Sequence, residues 1–183
     1  MSPILFLCAV LAAAPPGPSA SGRILDMSGR PIPHAEVCSL DKDDMPVDCV
    51  QADANGSYRM ETSSKGSLLV RAKGFVSMWT VAGHVSAPVK MAPAAVLVVK
   101  VVDDATGQPV PSGQVTLFFP SGKRIGGSAP FNRSGVKIST LAPGDTLVKA
   151  EAQGYEIAGP VSVTVAGGES RELTVRMRRS PRP

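Results

Sequence analysis

Apolar and polar positions alternate along most of this chain with a period of two. Gln114-Val115-Thr116-Leu117-Phe118-Phe119, Val161-Ser162-Val163-Thr164-Val165 and Ser67-Leu68-Leu69-Val70-Arg71-Ala72 are β-type segments. They are rich in Val, Thr, Leu and Phe and are bounded by Gly, Pro, Ser or Asp. No window beyond the N-terminal region carries a helical stripe. Short strands spaced about 8–12 residues apart predict an all-β sandwich or barrel. One run departs from alternation: Val96 to Val102 is almost continuously apolar. That predicts a strand covered on both faces, or one lying against a neighbouring domain.

The same landmarks occur twice, in the same order. Ile24-Leu25-Asp26 followed by Gly29-Arg30-Pro31-Ile32-Pro33 matches Val101-Val102-Asp103 followed by Gly107-Gln108-Pro109-Val110-Pro111. Val37 matches Val115, and Gly56-Ser57-Tyr58 parallels Gly135-Val136-Lys137. Leu69-Val70-Arg71-Ala72 matches Leu147-Val148-Lys149-Ala150, and after two extra residues Gly74-Phe75 matches Gly154-Tyr155. Val89-Lys90-Met91 matches Val175-Arg176-Met177. A repeated series of landmarks means a duplicated structural unit. The expected domains are 23–92 and 93–178, joined through the short stretch Ala92-Pro93-Ala94-Ala95. A basic, proline-containing tail, 179–183, is expected to fray into solvent. Contact between that tail and anionic envelope polymers is the alternative.

The first residues differ. Ile4 to Ala14 form an unbroken apolar run, too short to span a bilayer and the length of a signal-peptide core. Residues 1–22 are therefore expected to be a signal peptide cleaved near Ala20 or Gly22. No Lys or Arg precedes the run, so the amino terminus alone supplies positive charge there. The exported product would be secreted, periplasmic or held in the cell envelope, with no stable membrane span. Cys8 lies inside the apolar run and lacks the small residues that precede a lipid-modified cysteine. Two cysteines remain, Cys38 and Cys49. An even number in an exported chain predicts a disulfide, with two free buried thiols as the alternative.

Composition narrows the function classes. Apolar residues make up 43% of the chain and charged residues 19%, which suits packed cores and not a disordered chain. The formal net charge of +4 comes without a basic stripe interleaved with aromatics, so no nucleic-acid partner is expected.

The order of apolar strand, Asp, Gly-x-Pro-[Ile/Val], a Gly-x-Tyr strand and an alternating strand ending at Gly-[Phe/Tyr] resembles the carboxypeptidase regulatory-like domains. Asp53-Ala54-Asn55-Gly56-Ser57-Tyr58 stands at that family's acidic turn, whereas Ser134-Gly135-Val136 in the second copy lacks the acidic lead. The likeness covers nearly all of residues 23–178. It implies two tandem Greek-key, transthyretin/prealbumin-like β-sandwiches of the carbohydrate-binding-like fold group. It also implies an accessory, non-catalytic role.

No enzymatic constellation accompanies the family's name. A zinc peptidase needs His-x-x-Glu and a further His. Only His34 and His84 are present, neither with a carboxylate at that spacing. No Gly-x-Ser-x-Gly elbow occurs, and Gly126-Gly127 lacks the strand–loop–helix setting of a phosphate loop. No cofactor, metal or catalytic residue is expected. Asp41, Asp43, Asp44 and Asp48 read as a solvated loop with Lys42 inside it, a calcium loop being the alternative. Lys100 and Glu151 are two parts of a Lys–Asn isopeptide trio with no Asn to complete it on the last strand. Trp79, the only tryptophan, could form a sugar-stacking platform with Tyr58. Phe75, Trp79 and Val81 share one face of an alternating strand, however, which predicts a core role for Trp79.

The resulting expectation is an exported, non-catalytic structural or protein-interaction protein. Its partner would be an envelope or extracellular protein, or a polysaccharide. A carbohydrate-binding module is the alternative, and an enzyme's accessory domain pair a third.

Overall fold

The computed structural model describes residues 19–61, 66–81 and 88–181, and every element among them is a β-strand. Cys8, His84 and the apolar run fall outside the described residues. The first half contains β1 (Ser19–Asp26), β2 (Glu36–Leu40), β3 (Pro46–Gln51), β4 (Ser57–Glu61), β5 (Ser67–Arg71), β6 (Met78–Val81) and β7 (Val89–Met91). They form two sheets, ordered β4-β1-β7 and β3-β2-β5-β6. β1 runs antiparallel to β4 and parallel to β7.

The second half contains β8 (Ala95–Asp103), β9 (Ser112–Phe118), β10 (Arg124–Asn132), β11 (Val136–Leu141), β12 (Gly144–Glu151), β13 (Ala158–Val165) and β14 (Ser170–Met177). Its sheets are ordered β11-β8-β14 and β10-β9-β12-β13. Replacing each strand of the first half by its counterpart reproduces this order, parallel β8–β14 pair included. The duplication is thus topological as well as sequential. Each half is a Greek-key sandwich with the transthyretin/prealbumin-like strand order.

The alternation predicted from sequence builds two separate cores. Ile24, Val37, Leu68, Val70 and Met91 centre the first; Leu97, Val99, Leu117, Val148 and Met177 centre the second. Each fully buried side chain of this size contributes roughly 1.5–3 kcal/mol. The continuous run in β8 is resolved differently from both expectations. Leu97, Val99 and Val101 are buried inward, while Val96, Val98 and Val102 on the other face are half-buried. Val98 lies in one cross-strand row with Lys137 and Glu172, and Val102 beside Arg176. Long side chains in these rows can cover neighbouring apolar surface while keeping their charges in water.

β1 begins at Ser19, with Ser19–Arg23 paired to β4 and Ala20 inside the core. The first sandwich therefore reaches into the segment expected to be leader. Ser-Ala-Ser-Gly carries little β-propensity, which hid this start. At the other end, Arg179 still bridges to Tyr155 rather than fraying with a tail.

Register also corrects the alignment of the repeats. Val37 pairs with Val70, whereas its counterpart Val115 pairs with Ala150. Backbone bonds Phe75 N–H to Ala72 C=O and Tyr155 N–H to Ala152 C=O match in kind. Ala72 thus corresponds to Ala152, and no two-residue insertion separates the copies there. A slip of two residues preserves the sheet face, so alternation alone does not detect it.

Candidate functional site

Both sandwiches close β1 or β8 with an aspartate that organises the next turn. Asp26 accepts bonds from Ser28 N–H (2.8 Å), Arg30 N–H (2.9 Å) and the Ser28 hydroxyl (2.6 Å). Asp103 accepts from Ala105 and Thr106 N–H, each at 3.0 Å. The turns need Gly29 and Gly107 at positive φ, +86° and +69°. The copies differ in where each aspartate finds a cation. Arg30 Nε reaches Asp26 from its own turn at 2.8 Å, its side chain mostly in solvent. In the second copy Gln108 stands at that position. There Arg179, just beyond β14, crosses the Tyr155 ring (5.9 Å to the centroid) and binds Asp103 at 2.6 Å. Tyr155 OH adds a bond at 3.1 Å, and Asp103 is only 2% exposed.

These contacts stabilise the ionised carboxylates. Asp103 lies well below the usual carboxylate range, chiefly through the Arg179 guanidinium, with Thr106 N–H and Tyr155 adding to it against burial. Asp26 is depressed similarly, first by the Ser28 hydroxyl and then by Arg30 N–H. Arg179 is pushed further up by Asp103.

A second feature is the outer face of the β3-β2-β5-β6 sheet. Cys49, Cys38, Leu69 and Trp79 lie in one cross-strand row. Cys38 and Cys49 form the expected disulfide. Leu69 is buried beside it, while Trp79 is 63% exposed and Val81 52% exposed on edge strand β6. Trp79 is therefore not the core residue predicted. Leu69 rather than Trp79 fills the centre of the row, and Trp79 stands at the sheet's rim. Tyr58 is 5% exposed within the first core, so it does not join Trp79 in a platform. Its hydroxyl has no partner among the described residues, and burial raises its pKa.

The remaining candidates do not converge. Asp41 caps its own loop by accepting from Asp43 and Met45 N–H, and Asp43 pairs with Lys42 at 2.9 Å. Lys100, on the β11-β8-β14 sheet, pairs with Glu172 at 2.8 Å, and Glu151, on the β10-β9-β12-β13 sheet, pairs with Lys149 at 3.0 Å. Glu36 lies near the cysteine sulfurs, but sulfurs joined in a disulfide are not thiolate ligands. His34 occupies a left-handed turn position, φ +57°. The acidic lead missing from the second Gly-turn is replaced by Asn132, whose Oδ1 accepts from Ser134 N–H as Asp53 Oδ1 accepts from Asn55 N–H, both at 2.8 Å.

No protein-family model matches the chain, and no curated protein matches it. Among solved structures it is similar to the Bacillus anthracis TIE protein (17% identity, TM-score 0.43), covering 88% of this chain and 34% of that one. It is also similar to GBS52, the minor pilin of Streptococcus agalactiae (15%, TM-score 0.42, 90% and 98% covered). A third is the shaft pilin SpaA of Lactobacillus rhamnosus GG (8%, TM-score 0.47, 90% and 98% covered). This chain thus spans about a third of the first of these. At such scores the fold assignment rests on this chain's own strand pairing.

Proposed function

We propose that this chain is an exported, non-catalytic structural or protein-interaction protein of the cell envelope or extracellular space, built from two carboxypeptidase regulatory-like sandwiches. The observation that carries the proposal is the apolar rim of the β3-β2-β5-β6 sheet. Trp79 and Val81 face solvent on edge strand β6, separated from the Cys38–Cys49 bridge by Leu69 on β5, and Val47 and Met45, each 61% exposed, lie at the opposite edge in the β2–β3 hairpin. Exposed aromatic and aliphatic groups on a rigid sheet suit burial against another protein. The disulfide supports an oxidising, exported setting. Among the described residues no helix is long and apolar enough to cross a membrane.

The alternative is a carbohydrate-binding module using Trp79 alone, favoured by that ring's exposure. Because Trp79 is the only tryptophan, its emission reports this face directly. Red-shifted, acrylamide-quenched fluorescence is expected. The deciding experiment pairs a pull-down from envelope and culture-fluid proteins with a glycan array, each run with the full chain and with Trp79→Ser. A protein partner lost in Trp79→Ser at unchanged thermal stability supports the interaction role. Undiminished capture by Trp79→Ser sinks it. A glycan signal that depends on Trp79 favours the alternative.

A further inference from the structure

The two copies can be overlaid at the end of the sandwich where their aspartates sit. Phe75 bridges to Pro93 as Tyr155 bridges to Arg179. Ala94 N–H donates to Gly74 C=O at 2.9 Å, and Ser180 N–H to Gly154 C=O at 3.0 Å. Val76 N–H donates to Ala92 C=O, and Glu156 N–H to Arg178 C=O. Pro93 therefore stands where the second copy has Arg179. In the second sandwich that arginine lies over the Tyr155 ring and bonds Asp103, which the Tyr155 hydroxyl also reaches directly. In the first sandwich Phe75 has no hydroxyl to reach Asp26, and a solvent-open cleft of about 240 Å³ lies there, lined by Asp26, Met27, Ser28, Arg30, Phe75 and Pro93.

We infer that this cleft is a guanidinium-binding site that takes an arginine side chain from a partner polypeptide. The second copy shows the bound arrangement within the same molecule. A guanidinium lies over the aromatic ring and donates to the strand-end carboxylate. Phe75 keeps the ring face that attracts a cation. Asp26 keeps the carboxylate, and the planar fork of arginine suits a carboxylate better than the compact head of lysine. Arg30 holds Asp26 meanwhile, but its side chain is 81% exposed and the pair is an i,i+4 surface contact. Such contacts are weak enough for an incoming guanidinium to displace. The ligand is thus a partner's arginine that swings Arg30 into solvent. This site uses residues other than the Trp79 rim and does not depend on the function proposed for that rim.

The test is a titration of the full chain with N-acetylarginine amide, followed by the backbone amide resonances of Ser28, Arg30 and Phe75. Saturable millimolar shifts are expected, with N-acetyllysine amide weaker. Arg30→Gln, which copies Gln108, removes the internal competitor and should tighten binding about fivefold. Adding Pro93→Arg to Arg30→Gln rebuilds the second copy's ion pair and should abolish binding while raising the melting temperature of the first domain. Concentration-dependent shifts without ligand, lost in Arg30→Gln/Pro93→Arg, would identify a second copy of this chain as the arginine's source. No saturable shift in the unsubstituted chain would overturn the inference. Equal binding by Arg30→Gln with and without Pro93→Arg would also overturn it.

Discussion

Replacing Cys38 and Cys49 together by alanine should destabilise one half of the molecule and spare the other. The bridge joins residues 11 apart on adjacent strands β2 and β3, and Cys38 is fully buried. In the chain-entropy picture a loop of that length removes about 9 cal/mol/K from the unfolded ensemble, or about 2.8 kcal/mol at 25 °C. For a sandwich of this size that corresponds to a drop of roughly 10–20 °C in melting temperature. The second sandwich has no cysteine and its own core, so it is an internal control. Calorimetry of the oxidised chain and of Cys38→Ala/Cys49→Ala should show one transition moving and one fixed. Tryptophan emission assigns the moving transition, because Trp79 lies in the first sandwich. A shift below about 3 °C would refute the entropic argument and mean that the β2–β3 hairpin persists in the unfolded chain. Equal shifts in both transitions would refute the independence of the two cores.

Three further outcomes are expected. The lowered carboxyl of Asp103 contributes stability that is present above the unfolded value of about 3.9 and is lost as pH falls below it; Arg179→Met should flatten that acid loss in the second transition, and an unchanged pH profile would contradict the ion pair. Gly56→Ala should cost about 2–4 kcal/mol, against about 1 kcal/mol for Gly29→Ala. Both glycines have positive φ, but a Cβ at Gly56 would strike the Ile24 carbonyl oxygen whereas one at Gly29 meets open space; equal costs by urea denaturation would show that φ alone matters. Tyr58→Phe should leave the first sandwich as stable or raise it by about 1 kcal/mol, since the buried hydroxyl has no partner among the described residues; a clear loss by the same assay would reveal a bond to the phenol.

The strand count, the duplication and the pairing of cysteines were legible because each rests on a local signal. Period-two alternation marks a half-buried strand wherever it falls, and Gly-x-Pro marks the turn after it. Three things were not legible, each for a physical reason. The start of β1 is written in Ser, Ala and Gly, which pair through backbone groups and leave little side-chain signal. Matching Leu69 to Leu147 places the copies two residues out of register, an error that alternation cannot penalise. Trp79 sits on the same alternating face as Leu69, yet one is exposed and the other buried. That difference depends on strand order: β5 lies inside its sheet and β6 at the edge, and edge position is a property of the whole fold.

The ion pairs at the strand ends show how the copies diverged. Each aspartate anchors a turn and has a guanidinium, but the arginine comes from a different place. In the first copy it is Arg30 on the turn, with Pro93 and Phe75 elsewhere; in the second it is Arg179 beyond the last strand, with Gln108 and Tyr155. Three positions therefore differ together between the copies. Arg179 holds a carboxylate that is 2% exposed and joins the segment just beyond β14 to β8, the sandwich's own central strand. Arg30 holds a more open carboxylate from solvent. An arginine that ties the segment after the last strand to the core stabilises its own domain. An arginine that can leave makes the same carboxylate available to another chain. The second copy is accordingly built for closure at this end, and the first for exchange.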